Sequence, residues 1–178
     1  MTEELVLRAA RFAADAHRDF TTDSGLPYIT HVSEVALHLR RIGGITGSVM
    51  LAAAFLHDTL EHSSVSRADL LAAFGPEVTA LVEELTRQEP DAAQVKALKK
   101  GQIADLRFAM MLGGVRLMSP RAMTIKLADR LANLGEARIT KVGKKRERYI
   151  QQTRALLEAI PRSVNPELWL AVQKSLQK

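Results

Sequence analysis

Apolar residues recur at helical spacing along almost all of this 178-residue chain, which confines it to an all-α architecture. Leu5, Ala9, Phe12, Ala13 and Ala16 line one face of a first helix. Residues 21–27 read as a polar loop punctuated by Gly and Pro. Val32, Val35, Ala36 and Leu39 mark a second helix, ended by Gly43-Gly44. Residues 49–60 form a strongly apolar helix, expected at the centre of the bundle. Ser66 and Asp69 make a capping box, and Gly75-Pro76 stops that helix and starts another, whose apolar face is Val78, Leu81, Val82 and Leu85. After a polar break at 88–91, a helical stretch weakened by Gly101 runs to about Leu112, where Gly113-Gly114 closes it. Ser119-Pro120 and Asn165-Pro166 are pairs of N-cap and first-turn proline, and further helices are expected over 144–160 and 166–178. A short strand fits only at 115–118 or in the Phe20 loop.

The length predicts one domain over 1–178, a bundle of about eight to ten helices. Hydrophobic residues make up 47%, enough to bury a core. There is no cysteine, which excludes disulfides, thiolate metal sites and thiol nucleophiles. No apolar run approaches the ~20 residues of a membrane span, and the acidic start Met1-Thr2-Glu3-Glu4 lacks a signal-peptide pattern, so the expected location is cytoplasmic. The formal charge of +5 fits an anionic small molecule or nucleic acid. Aromatics at 4% and the lack of a recognition motif argue against nucleic acid. Oligomeric state is not readable from these features.

Three segments carry chemistry: Tyr28-Ile29-Thr30-His31, His57-Asp58-Thr59-Leu60-Glu61 and Lys126-Leu127-Ala128-Asp129-Arg130. They offer two imidazoles, His31 and His57, and two carboxylates, Asp58 and Asp129, a set that suits a divalent ion such as manganese or zinc, with Glu61 as a third carboxylate nearby. On one helix, His57 and Asp58 point about 100° apart, so they share an ion only if it sits between their directions. Glu61 is i+4 from His57 and i+3 from Asp58, within reach of a water at such an ion. Asp58 and Asp129 both follow apolar stretches, where a carboxylate is costly unless paired or metal-bound. His17 and His38 read as structural.

Taken in order, these motifs resemble the HD superfamily of metal-dependent phosphohydrolases. They are most similar to the hydrolase domain of RelA/SpoT proteins and their stand-alone relatives, the small alarmone hydrolases. Besides the segments above, the resemblance rests on Ala16-His17, Ser24-Gly25-Leu26-Pro27, Phe74-Gly75-Pro76-Glu77-Val78 and Leu131-Ala132-Asn133-Leu134. It covers residues 10–134, with C-terminal helices completing a single HD-type hydrolase domain to 178. It implies that His31, His57, Asp58 and Asp129 ligate manganese, or another divalent metal. It implies that Glu61 orients or deprotonates the attacking water, and that pyrophosphate leaves the ribose 3′ position of a guanosine or adenosine alarmone. Asn133, i+4 from Asp129, matches a nucleotide-contacting position, and Lys126, i−3 from Asp129, can face the same pocket.

Three positions depart from the family. His62 stands where an aspartate usually follows Glu61; it can serve as acid, base or phosphate contact, or mark lost activity. Thr22 and Asp23 stand where an Arg-Lys pair would stack on the purine and meet phosphate, and Gly135 replaces an arginine. The ligand set is thus intact while the substrate-binding residues are altered. Arg18, Lys96, Lys99 and Lys100 are candidates to replace the lost phosphate contacts. The alternatives are an HD phosphohydrolase for another nucleotide or phosphomonoester, and a silent nucleotide-binding sensor.

Overall fold

The computed structural model of the chain describes residues 2–177, so expectations for Met1 and Lys178 lie outside the described residues. Among the described residues the order is α1 (Thr2–Ala16), α2 (Ile29–Arg41), α3 (Ser48–Leu56), α4 (Thr59–His62), α5 (Arg67–Leu85), α6 (Ala92–Ala97), α7 (Lys100–Leu117), α8 (Pro120–Thr140), α9 (Gly143–Ala159), a 3-10 turn (Arg162–Val164) and α10 (Pro166–Ser175). The all-α expectation holds. No strand forms at 115–118, and the Phe20 loop carries only an isolated antiparallel bridge between Thr21 and Pro27. No helix among the described residues is long and apolar enough to cross a membrane.

The short apolar helix α3 lies at the centre, against α1, α2, α5 and α8. Ala52, Ala53 and Ala54 are fully buried on it, so neighbouring helices approach closely on several sides. The second hub is α8, which packs on α2, α5, α9 and α10 and buries Ile125, Leu127, Ala128 and Ala132. Its start is capped by Ser119, whose hydroxyl accepts from the Ala122 N–H, and Pro120 fills the first turn. Ser119 is itself anchored, because its N–H donates to Glu84 at 2.5 Å. At the far end, Asn165 caps α10 through the Leu168 N–H and donates its amide to the Gly43 carbonyl at 3.0 Å. A Cβ on Gly43 would meet the Leu168 side chain at 2.7 Å and the Leu39 carbonyl at 2.9 Å, so this contact demands glycine.

Two expected boundaries move. The stretch after residue 91 is two helices, since Leu98 and Lys99 are extended between α6 and α7. Gly113-Gly114 does not end α7, which runs on to Leu117. Neither glycine takes a positive φ, and each costs a helix only about 1 kcal/mol against alanine, too little to stop it. At Gly75 the break is real, with φ of 77°, and Pro76 restarts the helix as expected.

Candidate metal centre

Residues 49–60 do not form one helix. The chain bends where the His-Asp pair stands: α3 stops at Leu56, and Asp58 leaves the helical region with φ −101° and ψ 0° before the single turn of α4. Side chains take the carbonyls that a continuing helix would use. The His57 Nδ1 lies 2.8 Å from the Ala54 carbonyl, the Thr59 hydroxyl donates to Leu56 at 2.7 Å, and Ser63 donates to Thr59 at 2.7 Å. The bend removes the ~100° splay of adjacent helical side chains, so His57 and Asp58 aim at one point.

Three further elements meet there. His31 comes from the first turn of α2, Asp129 from the middle of α8, and Tyr28 from the loop before α2. The His31 Nε2 is 3.7 Å from Asp58 Oδ2 and 3.5 Å from Asp129 Oδ1. The His57 Nε2 is 3.1 Å and 3.8 Å from the same two atoms. The structure therefore brings all four expected ligands together. The arrangement fits a cation by its own chemistry. With Nδ1 set 2.8 Å from the Ala54 carbonyl, His57 turns Nε2 toward the two carboxylates, 3.1 Å from Asp58 and 3.8 Å from Asp129. Burial opposes charge on His57, yet Asp58 and Asp129 outweigh it and raise the imidazole to about 9. Burial would raise Asp58, but the His57 charge and the Tyr28 hydroxyl hold it well below the usual carboxylate range. Asp129 is likewise held low against burial, by Lys126 first and then the histidines. The centre gathers two carboxylates held in their charged form and two imidazoles, a donor set that suits a divalent ion, which would take the place of the imidazole proton.

Around it, the Tyr28 hydroxyl donates to Asp58 Oδ2 at 2.5 Å. Asn133 donates its amide to Asp129 Oδ1, and Lys126 pairs with Asp129 Oδ2 at 2.8 Å. Burial would lower the Lys126 pKa, but Asp129 more than offsets it. Glu61 lies at the mouth, where its carboxylate accepts the Arg87 backbone N–H at 2.6 Å and meets the Arg87 guanidinium at 3.3 Å. Asp58, Glu61 and His62 each present a donor atom within 4.8 Å of the others.

These groups open on a cleft of about 560 Å³, lined also by Phe108, Met111, Arg130 and Tyr149. Lys126 and Asn133 lie in it as expected. Arg18 does not; it is exposed, pairs with Asp15 at 3.0 Å, and lines an adjoining hollow with Glu61 and His62. Lys99 is exposed at the start of α7, outside the lining of the cleft. The loop that lacks Arg-Lys is tied to the end of α8 instead, through Ser24 to Glu136 at 2.9 Å and Asp23 to Lys141 at 2.7 Å. Sequence reasoning missed Arg87 and Arg130. Arg87 has no spacing relation to the motifs, while Arg130 stands beside Asp129 within a quoted segment and was readable as a neighbour of the site.

The HD domain family matches residues 9–159, and the chain belongs to this family. Among its relatives, the human guanosine-3′,5′-bis(diphosphate) 3′-pyrophosphohydrolase MESH1 is 38% identical over 131 residues, covering 72% of this chain and 67% of the relative. A probable pyrophosphohydrolase of the same type from Synechocystis is 35% identical over 130 residues, 73% of this chain but only 16% of the relative. The chain thus spans a small part of the long relatives, and most of the short ones. The solved structure of a metazoan ortholog of SpoT that hydrolyses ppGpp superposes with a TM-score of 0.83 at 28% identity, over 97% of this chain and 94% of the other. The likeness reaches Ala159, further than the motifs alone carry it.

Proposed function

We propose that this protein is a manganese-dependent hydrolase that removes pyrophosphate from the 3′ position of guanosine 3′,5′-bis(diphosphate) and its analogues. The observation that carries the reading is the convergence of His31, His57, Asp58 and Asp129, with both imidazole Nε2 atoms within 4 Å of both carboxylates. The relatives named for this reaction support the substrate class. His31, His57, Asp58 and Asp129 hold the ion, which when bound supplies Lewis-acid activation of water and of the phosphoryl group. Tyr28 and Asn133 fix the two carboxylates through their hydrogen bonds. Glu61 accepts the proton of the attacking water and is held at the mouth by Arg87 until substrate enters. Lys126 meets phosphate from the floor of the cleft. His62, packed against Tyr28 and Phe20 at the cleft, hands a proton to the leaving group in this reading.

A second reading keeps the reaction and changes the base. Thr22, Asp23 and Ser24 offer no guanidinium to stack on a purine, and Ser24 is tied to Glu136, which favours relaxed preference, including the adenosine analogue. Both readings are tested by offering guanosine and adenosine 3′-pyrophosphate nucleotides side by side with manganese, and measuring pyrophosphate. Release that Glu61→Ala abolishes is the expected result, and the rate ratio reports the base. No release from either nucleotide by a metal-loaded protein would overturn the proposal.

A further inference from the structure

We infer that Arg130 is an anion-binding residue of the cleft, placed to receive the diphosphate that the reaction removes. This rests on the function proposed above for its substrate, and on the side chain's own surroundings for its chemistry. Four cationic side chains line the cleft: Arg87, Arg107, Lys126 and Arg130. Arg87 is neutralised by Glu61 and Glu89, Arg107 by Glu89, and Lys126 by Asp129. Among the described residues, no carboxylate forms an ion pair with Arg130. Its side chain is 8% exposed, and its Nε is buried with no hydrogen-bond partner.

Arg130 lies over the ring of Tyr149, 4.8 Å from the guanidinium carbon, and also hydrogen-bonds the Tyr149 side chain. A cation over an aromatic face is stabilised, though less than burial of an unpaired charge costs. A guanidinium without a carboxylate is the group that binds phosphate oxygens in pairs, through its fixed fork of donors. Position narrows the ligand. Arg130 follows Asp129 on α8, and its charge acts on Lys126 and Tyr149, so the three polar groups share one end of the cleft. A phosphoryl group beside the metal centre lies between them. The loop that would otherwise bring phosphate-binding cations has Thr22 and Asp23 in their place, and Asp23 is tied to Lys141.

The test uses full-length protein loaded with manganese, titrated calorimetrically with inorganic phosphate, with bound metal quantified for each variant. Arg130→Gln should weaken phosphate binding roughly tenfold or more, Arg130→Lys should restore part of it, and metal content should be unchanged. Equal phosphate affinity in Arg130→Gln and the unsubstituted protein overturns the proposal, as does loss of metal together with phosphate. Absence of phosphate binding by the unsubstituted protein also overturns it. If Arg130→Gln does not fold, Arg130→Lys decides: weaker binding supports the proposal and unchanged binding overturns it. Arg130-dependent phosphate binding by a protein that hydrolyses neither alarmone would refute the function and leave this site standing. Normal hydrolysis with Arg130-independent phosphate binding would do the reverse.

Discussion

The donors of the candidate metal centre sit on or beside helices packed into the core, while the opposite wall of the cleft comes from α7 and the segment after α5, and α7 with its neighbour α6 buries almost nothing. His31, His57 and Asp129 are all less than a tenth exposed. By contrast α6 has no buried residue and α7 has one, Val115. That wall is held by exposed ion pairs, Arg87–Glu89–Arg107 and Arg148–Asp105. Packing of α2, α3 and α8 therefore sets the geometry of the chemistry. The opposite wall has low contact density, so sequence can change there at little cost in stability.

The sharpest way to break this comparison is Asp58→Ala. Metal should be lost from the purified protein, and pyrophosphate release should fall roughly a thousandfold or more; retention of both would show that the convergent donors do not form the site. Next comes Glu61→Gln, which should keep the metal and lower turnover by about 10²–10⁴-fold, as removal of a general base does. Loss of metal in this variant would instead make Glu61 a ligand.

A smaller effect tests the packed side by acid. His17 is 2% exposed, neither ring nitrogen has a partner, and burial, countered in part by Asp58, lowers it from 6.5 to about 4. The unfolded chain then binds the proton more readily than the folded one. The stability that the neutral imidazole allows is complete above about 6.5 and is lost as pH falls toward 4. Between pH 7 and pH 5 this group should cost the protein about 2 kcal/mol in urea denaturation, and His17→Leu should remove that part of the slope. A variant with the full acid slope would place the sensitivity elsewhere. The smallest effect belongs to the exposed wall. Glu89→Gln removes the carboxylate partner of Arg107 and one of the two partners of Arg87, and should change stability by only about 0.2–1 kcal/mol with metal content unaltered. A larger loss, read by thermal melting, would mean that the wall is as cooperative as the core.

Much of the fold was legible because its signals are local. Ser66 with Asp69, Ser119 with Pro120, and Asn165 with Pro166 start helices where each pair predicts. Gly75-Pro76 breaks α5 because only glycine accepts φ of 77° without strain. Gly113-Gly114 misled because glycine permits a turn without compelling one. The run at 49–60 misled for another reason: hydrophobicity marks burial, and the side-chain bonds of His57 and Thr59 that end α3 leave no trace in it.

By itself the sequence determined the helical class, most helix starts and the donor types, because capping, periodicity and ligand chemistry act over a few residues. Tertiary structure alone decided that His31 and Asp129 stand 3.5 Å apart, that Asp58 turns toward them, and that Arg130 is buried against Tyr149 without a carboxylate. It also left Arg18 and Lys99 outside the cleft. These outcomes depend on how α2, α3, α8 and α9 pack, and packing is a sum over residues far apart in the chain that no local pattern encodes.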